Sequence, residues 1–430
     1  MATQAGPQPI EVDTTTRGPS FREVLSGRDF RLLFIGQLGT EIGNGLVQLA
    51  LPFLVLELTN SGFQALFAYA IQFIPVLVFG ILGGVLVDRW DRRMTIVVVD
   101  TIRAVAFLAV GTVYFLDRGA LSVEYIYGLI ILEASLQNFF NPARLALMPN
   151  LVSKENLRAG NSLIEVTRNI GFLVAPSVGL GLAGLVGSGA IIAADGVTFL
   201  ISGLTVFLIR WRPPQREQPQ YKSWQEGVEG VWRQTKEGIA VMRSVRLLQV
   251  ALLLGVSLNL VVAPIQGLLP LFVIDVKDVS NEQAYVGLLA GAFVTGSIVG
   301  SLSAPTTSRH LGLGRLTIAG VLLLGIIISV ASWIPTLWSP IVALLIAGFA
   351  IGTLNVAQIN MLQTSSSDEE RGRVSAAYYT STLGVRPLGY LAVGLLYKPI
   401  GIQGLFVILG LITLAVGTFL ARLPEIREHR

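Results

Sequence analysis

The sequence predicts an all-α polytopic membrane protein, its twelve transmembrane helices forming two pseudo-symmetric six-helix bundles. Three observations carry that expectation. The chain of 430 residues is 52% hydrophobic and only 13% charged, whereas a soluble domain carries about 25% charge. Its apolar residues fall in continuous runs of about 20, the length a helix needs to cross the hydrocarbon, not in the alternation of a barrel strand. Its basic residues are divided unequally between the two sets of connections.

Residues 1–20 are polar, with Pro, Thr and Gly, and read as a tail without the pattern of a cleavable leader. Segment 21–31 is amphipathic and is expected at the interface, so 1–31 precede the first bundle. That bundle occupies 32–210, with spans at about 32–56, 65–87, 95–116, 123–141, 162–186 and 190–210. A polar linker, 211–246, follows; it contains Trp211-Arg212-Pro213-Pro214 and then an amphipathic helical pattern from Trp224 to Arg246. The second bundle occupies 247–421, with spans at about 247–273, 284–304, 316–334, 339–362, 374–397 and 402–421, and 422–430 form a second tail.

Of the 31 Lys and Arg residues, all but six fall on one side of this topology, together with both termini. The six are Arg118, Lys277 and Lys398 in opposite loops and Arg103, Arg168 and Arg386 within spans. Cytoplasmic loops carry the basic excess, so both termini are expected in the cytoplasm. Topology thus accounts for the net charge of +4 without a nucleic-acid partner. Cysteine is absent and there are two histidines, His310 and His429, which argues against disulfides and a metal site. The 46 glycines suit close helix packing in lipid.

The halves look related. Asn141-Pro142-Ala143 has a counterpart in Asn355-Val356-Ala357, and at the same interval Glu155 meets Glu369. Pro176 and Gly179 of span 5 are echoed by Pro387 and Gly389 of span 11.

Between spans 2 and 3 runs Gly84-Val85-Leu86-Val87-Asp88-Arg89-Trp90-Asp91-Arg92-Arg93. This charge knot resembles the signature loop of the major facilitator superfamily of transporters. The resemblance implies that Asp88 pairs with arginines and with a helix end of the other half, bracing an outward-facing state. Gly84, Arg89, Arg92 and Arg93 complete that gate; Asp91 stands where the family usually has a second glycine. A charged anchor that stops translocation is the plainer reading, and both can hold. The corresponding second-half segment, Gly300 through Arg309-His310 to Gly314-Arg315, lacks the acid.

Gly171, Pro176 and Gly179 in span 5 resemble the motif of superfamily antiporters, whose members usually export; Ala175 and Leu180 replace two of its glycines. Small-residue packing is the alternative. The run Phe140-Asn141-Pro142-Ala143-Arg144, with Pro149 and later Glu370-Arg371-Gly372-Arg373, is similar to the bacterial branch of macrolide-efflux proteins and enterobactin exporters. The branch implies a secondary transporter in the bacterial cytoplasmic membrane that exports amphipathic organic compounds by proton antiport with alternating access. A siderophore exporter is the main alternative, a lipid flippase or proton-coupled importer a weaker one. With no nucleotide-binding pattern, a proton gradient is expected in place of a cofactor, and a monomeric transporter is expected rather than an enzyme.

Charges inside spans are costly and mark cavities or partners. Glu41, among Gly39, Thr40, Gly43 and Asn44, is the leading proton-coupling candidate; a neutral Glu41 bonded to Gln37 or Asn44 is the alternative. Glu133, mid-span 4, is the second candidate. Glu165 and Arg168 share a helix face and predict an ion pair, with Arg386 expected as the mirror of Arg168; an anionic group bound by either arginine is the alternative. Asp100 and Arg103 are expected to extend the charges of the signature loop. Asp195 reads as a helix cap. Asn44, Phe140, Asn141, Gln358 and Asn360 are candidates for lining the substrate cavity, with Phe73, Pro75, Phe139 and Phe293 beside them.

Overall fold

The computed structural model describes residues 21–87, 90–212, 224–276, 279–331, 333 and 336–427. Asp88 and Arg89 of the charged loop lie outside the described residues. All regular elements among the described residues are helices.

Short α1 (Phe21–Ser26) leads into α2 (Arg28–Thr59). At 32 residues α2 is about 48 Å long, so it begins before the apolar run and overshoots it. The second crossing comes in two pieces, α3 (Gly62–Ile71) and α4 (Ile74–Val87). Pro75 explains the break: a helical proline clashes with the carbonyl four residues earlier, here that of Ile71, where α3 stops. Next come α5 (Arg92–Leu116), α6 (Val123–Leu147), α7 (Leu157–Asn169) and α8 (Ala175–Val186). A π turn at Ile170–Val174 joins α7 to α8; Pro176, again four residues past the affected carbonyl, accounts for it. α9 (Ser188–Phe207) closes the first half, and α10 (Trp224–Ser244) is the linker helix.

The second half opens with α11 (Arg246–Ser257) and α12 (Ala263–Val276). They are joined by a π turn at Leu258–Val262, placed relative to Pro264 as the first is to Pro176. α13 (Glu282–Leu311), α14 (Leu313–Ala331), α15 (Ser339–Thr364), α16 (Asp368–Gly384), α17 (Arg386–Ala421) and α18 (Pro424–Arg427) follow. Ser367 and Glu370 form a capping box at the start of α16. Gly401, at φ 75°, breaks α17 into two crossing lengths. Gly187, at φ 88°, alone joins α8 to α9. These two left-handed glycines are separated by the interval that relates Asn141 to Asn355, so the sequence repeat recurs in backbone geometry.

Among the described residues, nine helices are long and apolar enough to cross a membrane, or ten with the bent pair around Ile170–Val174. One of the nine is the 52-residue stretch Glu370–Ala421. α6 is 25 residues long; Glu133, Gln137, Asn138 and Asn141 in its middle keep it outside that set. The outer surface is apolar: Leu116, Leu302 and Leu395 are 82%, 76% and 66% exposed. Lipid accepts such a surface, and helices satisfy their own backbone groups there.

Close helix contact rests on glycine. A side chain at Gly296, Gly300, Gly348 or Gly352 would collide with backbone of the facing helix where α13 meets α15. Gly45, Gly171 and Gly179 do the same between α2 and the π turn and α8.

The halves meet at the end remote from the linker. There α8 packs on α13, and α3 on α12 and α17. Tyr69 stacks on Tyr390 with ring centroids 5.2 Å apart. Asn281 Nδ2 donates to the Gly184 carbonyl at 2.9 Å. Gln283 donates to Glu57, which also pairs with Arg118. At the linker end α4, α7 and α16 pack mainly within their own half or on α10. α10 is tied to α16 by the Glu237–Arg373 pair at 2.7 Å.

Candidate functional site

Two buried ion pairs organise the interior of the first half. Glu41 of α2 meets Arg144 of α6 at 2.6 Å, and the same Arg144 nitrogen donates to Gln37 Oε1 at 3.2 Å. The Arg144 side chain is 6% exposed and that of Glu41 16%. Glu41 therefore has an ionic partner, which neither sequence alternative supplied. The Arg144 signal was present in Asn141-Pro142-Ala143-Arg144, but nothing local connects it to a residue so distant in the chain.

Arg103 of α5 is the centre of the second pair. Its Nε lies 2.9 Å from Glu133 Oε2 of α6, and Nη1 lies 3.8 Å from Asp100. The contact with Glu133 is close without the alignment of a hydrogen bond, since both atoms lack a hydrogen-bond partner. Phe140 and Phe199 flank the guanidinium, their centroids 4.9 and 5.2 Å away. Ser202 donates to Asp100 Oδ2 at 2.7 Å. Asp195 of α9 is also fully buried and accepts from Thr198 at 2.9 Å.

This arrangement corrects three expectations. Asp100 and Arg103 turn inward to Glu133 and Ser202 instead of extending the signature loop. Phe140, 2% exposed, is the lid on Arg103 and no cavity wall. Asp195 lies within α9, packed opposite Gly43 of α2, and does not cap the helix.

In the loop itself, Arg93 donates to the carbonyls of Val206, at 3.0 Å, and Phe207, where α9 ends. Arg92 donates to the Ala146 carbonyl at 3.3 Å, near the end of α6. Cations at helix C-termini are stabilised by the aligned peptide dipoles. Both contacts stay within the first half. Gly84 lies in α4.

The main cavity lies between the halves, with a volume of about 270 Å³. Its wall comes mostly from the second half, with Phe293, Asn355, Gln358, Arg386 and Phe406; the first half adds Gln48, Leu49, Phe172, Pro176 and Ser177. The cavity candidates divide accordingly. Gln358 lines it, whereas Asn44, Phe140, Asn141 and Asn360 do not. Asn360 is two residues past Gln358 and so points to the other side of α15. Glu41 and Glu133 also stand off the lining.

Glu165 and Arg168 form the expected pair at 2.5 Å, with side chains 52% and 57% exposed. Arg386 is not the mirror of Arg168. At the interval relating Gly187 to Gly401 its counterpart is Phe172, which lines the cavity with it. Gly171 and Gly179 face the backbone of Glu41 and Leu46, so the span 5 motif brings α2 onto the π turn and α8.

The family model of the Major Facilitator Superfamily matches residues 33–386 and 283–430. The chain belongs to the Major Facilitator Superfamily. It is a multi-pass membrane transporter and not an enzyme. It is 25% identical to macrolide efflux protein A of Streptococcus pyogenes over 93% of this chain and 96% of that protein. It is 26% identical to the multidrug efflux pump Tap of Mycolicibacterium fortuitum, over 92% and 96% respectively. Among solved structures it resembles the nucleoside transporter NupG, with TM-score 0.70, 14% identity and coverage of 93% of this chain and 99% of that one. It also resembles a bacterial homologue of the iron transporter ferroportin in an inward-facing state, with TM-score 0.67, 17% identity and coverage of 92% and 99%.

Proposed function

We propose that this transporter exports amphipathic organic compounds of the drug or macrolide type across a bacterial cytoplasmic membrane, by proton antiport with alternating access. The observation that carries the reading is a mostly apolar cavity between two halves that touch at the end remote from the linker. Positive-inside asymmetry assigns the linker end to the cytoplasm, which makes this an inward-facing form. Rocking of the halves around that cavity exposes it to the other side. The similarity to efflux proteins over nearly the whole chain supports the outward direction. None of the relatives described above is a siderophore exporter.

The coupling site is Glu41 with Arg144. A carboxylate paired to a buried arginine has two states, ionised and paired or protonated and released, the second requiring water or substrate to take its place at the arginine. Glu133 and Arg103 form the next such pair inward. Protonation of Glu41 in alternation with substrate binding is the antiport step, with the first half carrying the proton and the second most of the substrate surface.

Expression in an efflux-deficient bacterium tests the export reading. The chain is expected to raise the inhibitory concentration of macrolides at least fourfold, about two doublings. Unchanged susceptibility to macrolides and to other amphipathic drugs, with the protein present in the membrane, would sink it.

A further inference from the structure

The polar groups on the cavity wall are unevenly satisfied, and those left over are mainly donors. Arg386 carries the only charge among the described lining residues. Its Nε donates to Asn259 Oδ1, and its guanidinium lies 5.8 Å from the ring centroid of Phe73. No ion pair to Arg386 occurs among the described residues, whereas Arg103 and Arg144 each hold a carboxylate. Gln358 is 6% exposed, yet its amide nitrogen lacks a hydrogen-bond partner, as does the buried hydroxyl of Ser177. Both residues share the wall with Arg386.

A cation in a low-dielectric interior is expensive without a counter-charge, and orphaned buried donors add to that cost. Such groups are retained where a ligand completes them. The remaining polar lining is neutral: the amides of Gln48, Asn259, Gln266 and Asn355 and the hydroxyl of Ser297. No lining residue offers a carboxylate to a cationic drug. Phe172, Phe293 and Phe406 supply aromatic surface for an apolar body.

We infer that, among amphiphiles of like body, the cavity prefers those with an anionic head, a carboxylate above all, held by Arg386 while Gln358 and Ser177 donate to the same ligand. Arginine suits this role because its planar fork matches a carboxylate in two parallel bonds. The inference rests on the export reading and narrows its substrate class. It also separates the labours of the halves: the acid of the substrate meets Arg386 in the second, and the proton meets Glu41 in the first.

The test uses everted membrane vesicles carrying the full chain and three probes: fusidate, a steroid carboxylate; its methyl ester; and the tetraphenylphosphonium cation. The wild type should accumulate fusidate faster than the ester. Arg386→Gln should lower the acid-to-ester rate ratio roughly tenfold or more, as expected for a charged hydrogen bond, and Arg386→Lys should keep the acid preferred. Gln358→Leu leaves the charge in place and should lower the ratio about threefold, near the net worth of one neutral hydrogen bond. This second variant decides the matter if Arg386→Gln does not fold. A purely structural Arg386 would slow all three probes together and leave the ratio unchanged, overturning the inference. Uptake of ester and phosphonium without fusidate overturns it too, while leaving the export reading intact. Uptake of none of the three overturns this inference, and the export reading falls with it where drug susceptibility is unchanged as well.

Discussion

Arg103 and Arg144 are each fixed by a carboxylate on a neighbouring element, and both would be untenable alone in the membrane interior. Removing one partner of a buried pair leaves an uncompensated charge, at a cost of about 3–5 kcal/mol. Arg103→Leu exposes Glu133 and Asp100 to each other without their cation. It should lower the melting midpoint of the detergent-solubilised protein sharply, and Arg103→Leu combined with Glu133→Leu should recover most of the loss. Equal destabilisation by the single and double changes would mean that the pair does not hold these helices together. The sequence pointed to Glu41 and Glu133 as intramembrane acids because charges stand out in apolar runs. It did not reveal that each has an arginine, since such pairing depends on how α2, α5 and α6 lie side by side. The Phe140 ring was misread for the same reason: aromatic character was visible in the sequence, but the guanidinium beneath it was not.

Proline and glycine set the shapes of the helices. Pro75, Pro176 and Pro264 each disturb the helix four residues upstream, giving one break and two π turns, and Gly187 and Gly401 turn the chain between crossings. The apolar runs made most crossings legible, and the recurrence of Asn141 and Asn355 made the repeat legible. Less legible was the end of α6: the apolar run stops at about 141, whereas the helix continues to Leu147. At this scale the packing of α8 on α2 is testable. A side chain at Gly179 would meet the Leu46 backbone, whereas one at Gly181 has open space. Gly179→Val should cost about 1–3 kcal/mol, the range for overpacking, and Gly181→Ala should be close to neutral. Thermal denaturation of both variants in detergent checks this; equal midpoints would argue against close contact between the two helices.

For the whole molecule, the two halves are unlike in chemistry though alike in shape. The first half concentrates buried ionisable side chains: Glu41, Asp100, Arg103, Glu133, Arg144 and Asp195. The second builds most of the cavity wall and places Arg386 on it. The contacts between halves run through α3, α8, α12, α13 and α17 at one end, so a rocking motion has a defined seal to open. Among the described residues the polar part of that seal is small: Asn281 with Gly184, and Gln283 with Glu57 and Ser188. Sequence reasoning reached the two-bundle plan because it follows from run lengths and charge asymmetry. It could not reach the division of roles, because cavity walls are assembled from residues on many helices. The most direct measurement is macrolide uptake into everted vesicles with an acidified lumen. Wild-type vesicles should accumulate the drug, lose it when nigericin collapses the pH gradient, and show no accumulation when Glu41→Gln replaces the wild type. Accumulation that survives nigericin, or a Glu41→Gln variant as active as the wild type, would contradict proton-coupled export through this site.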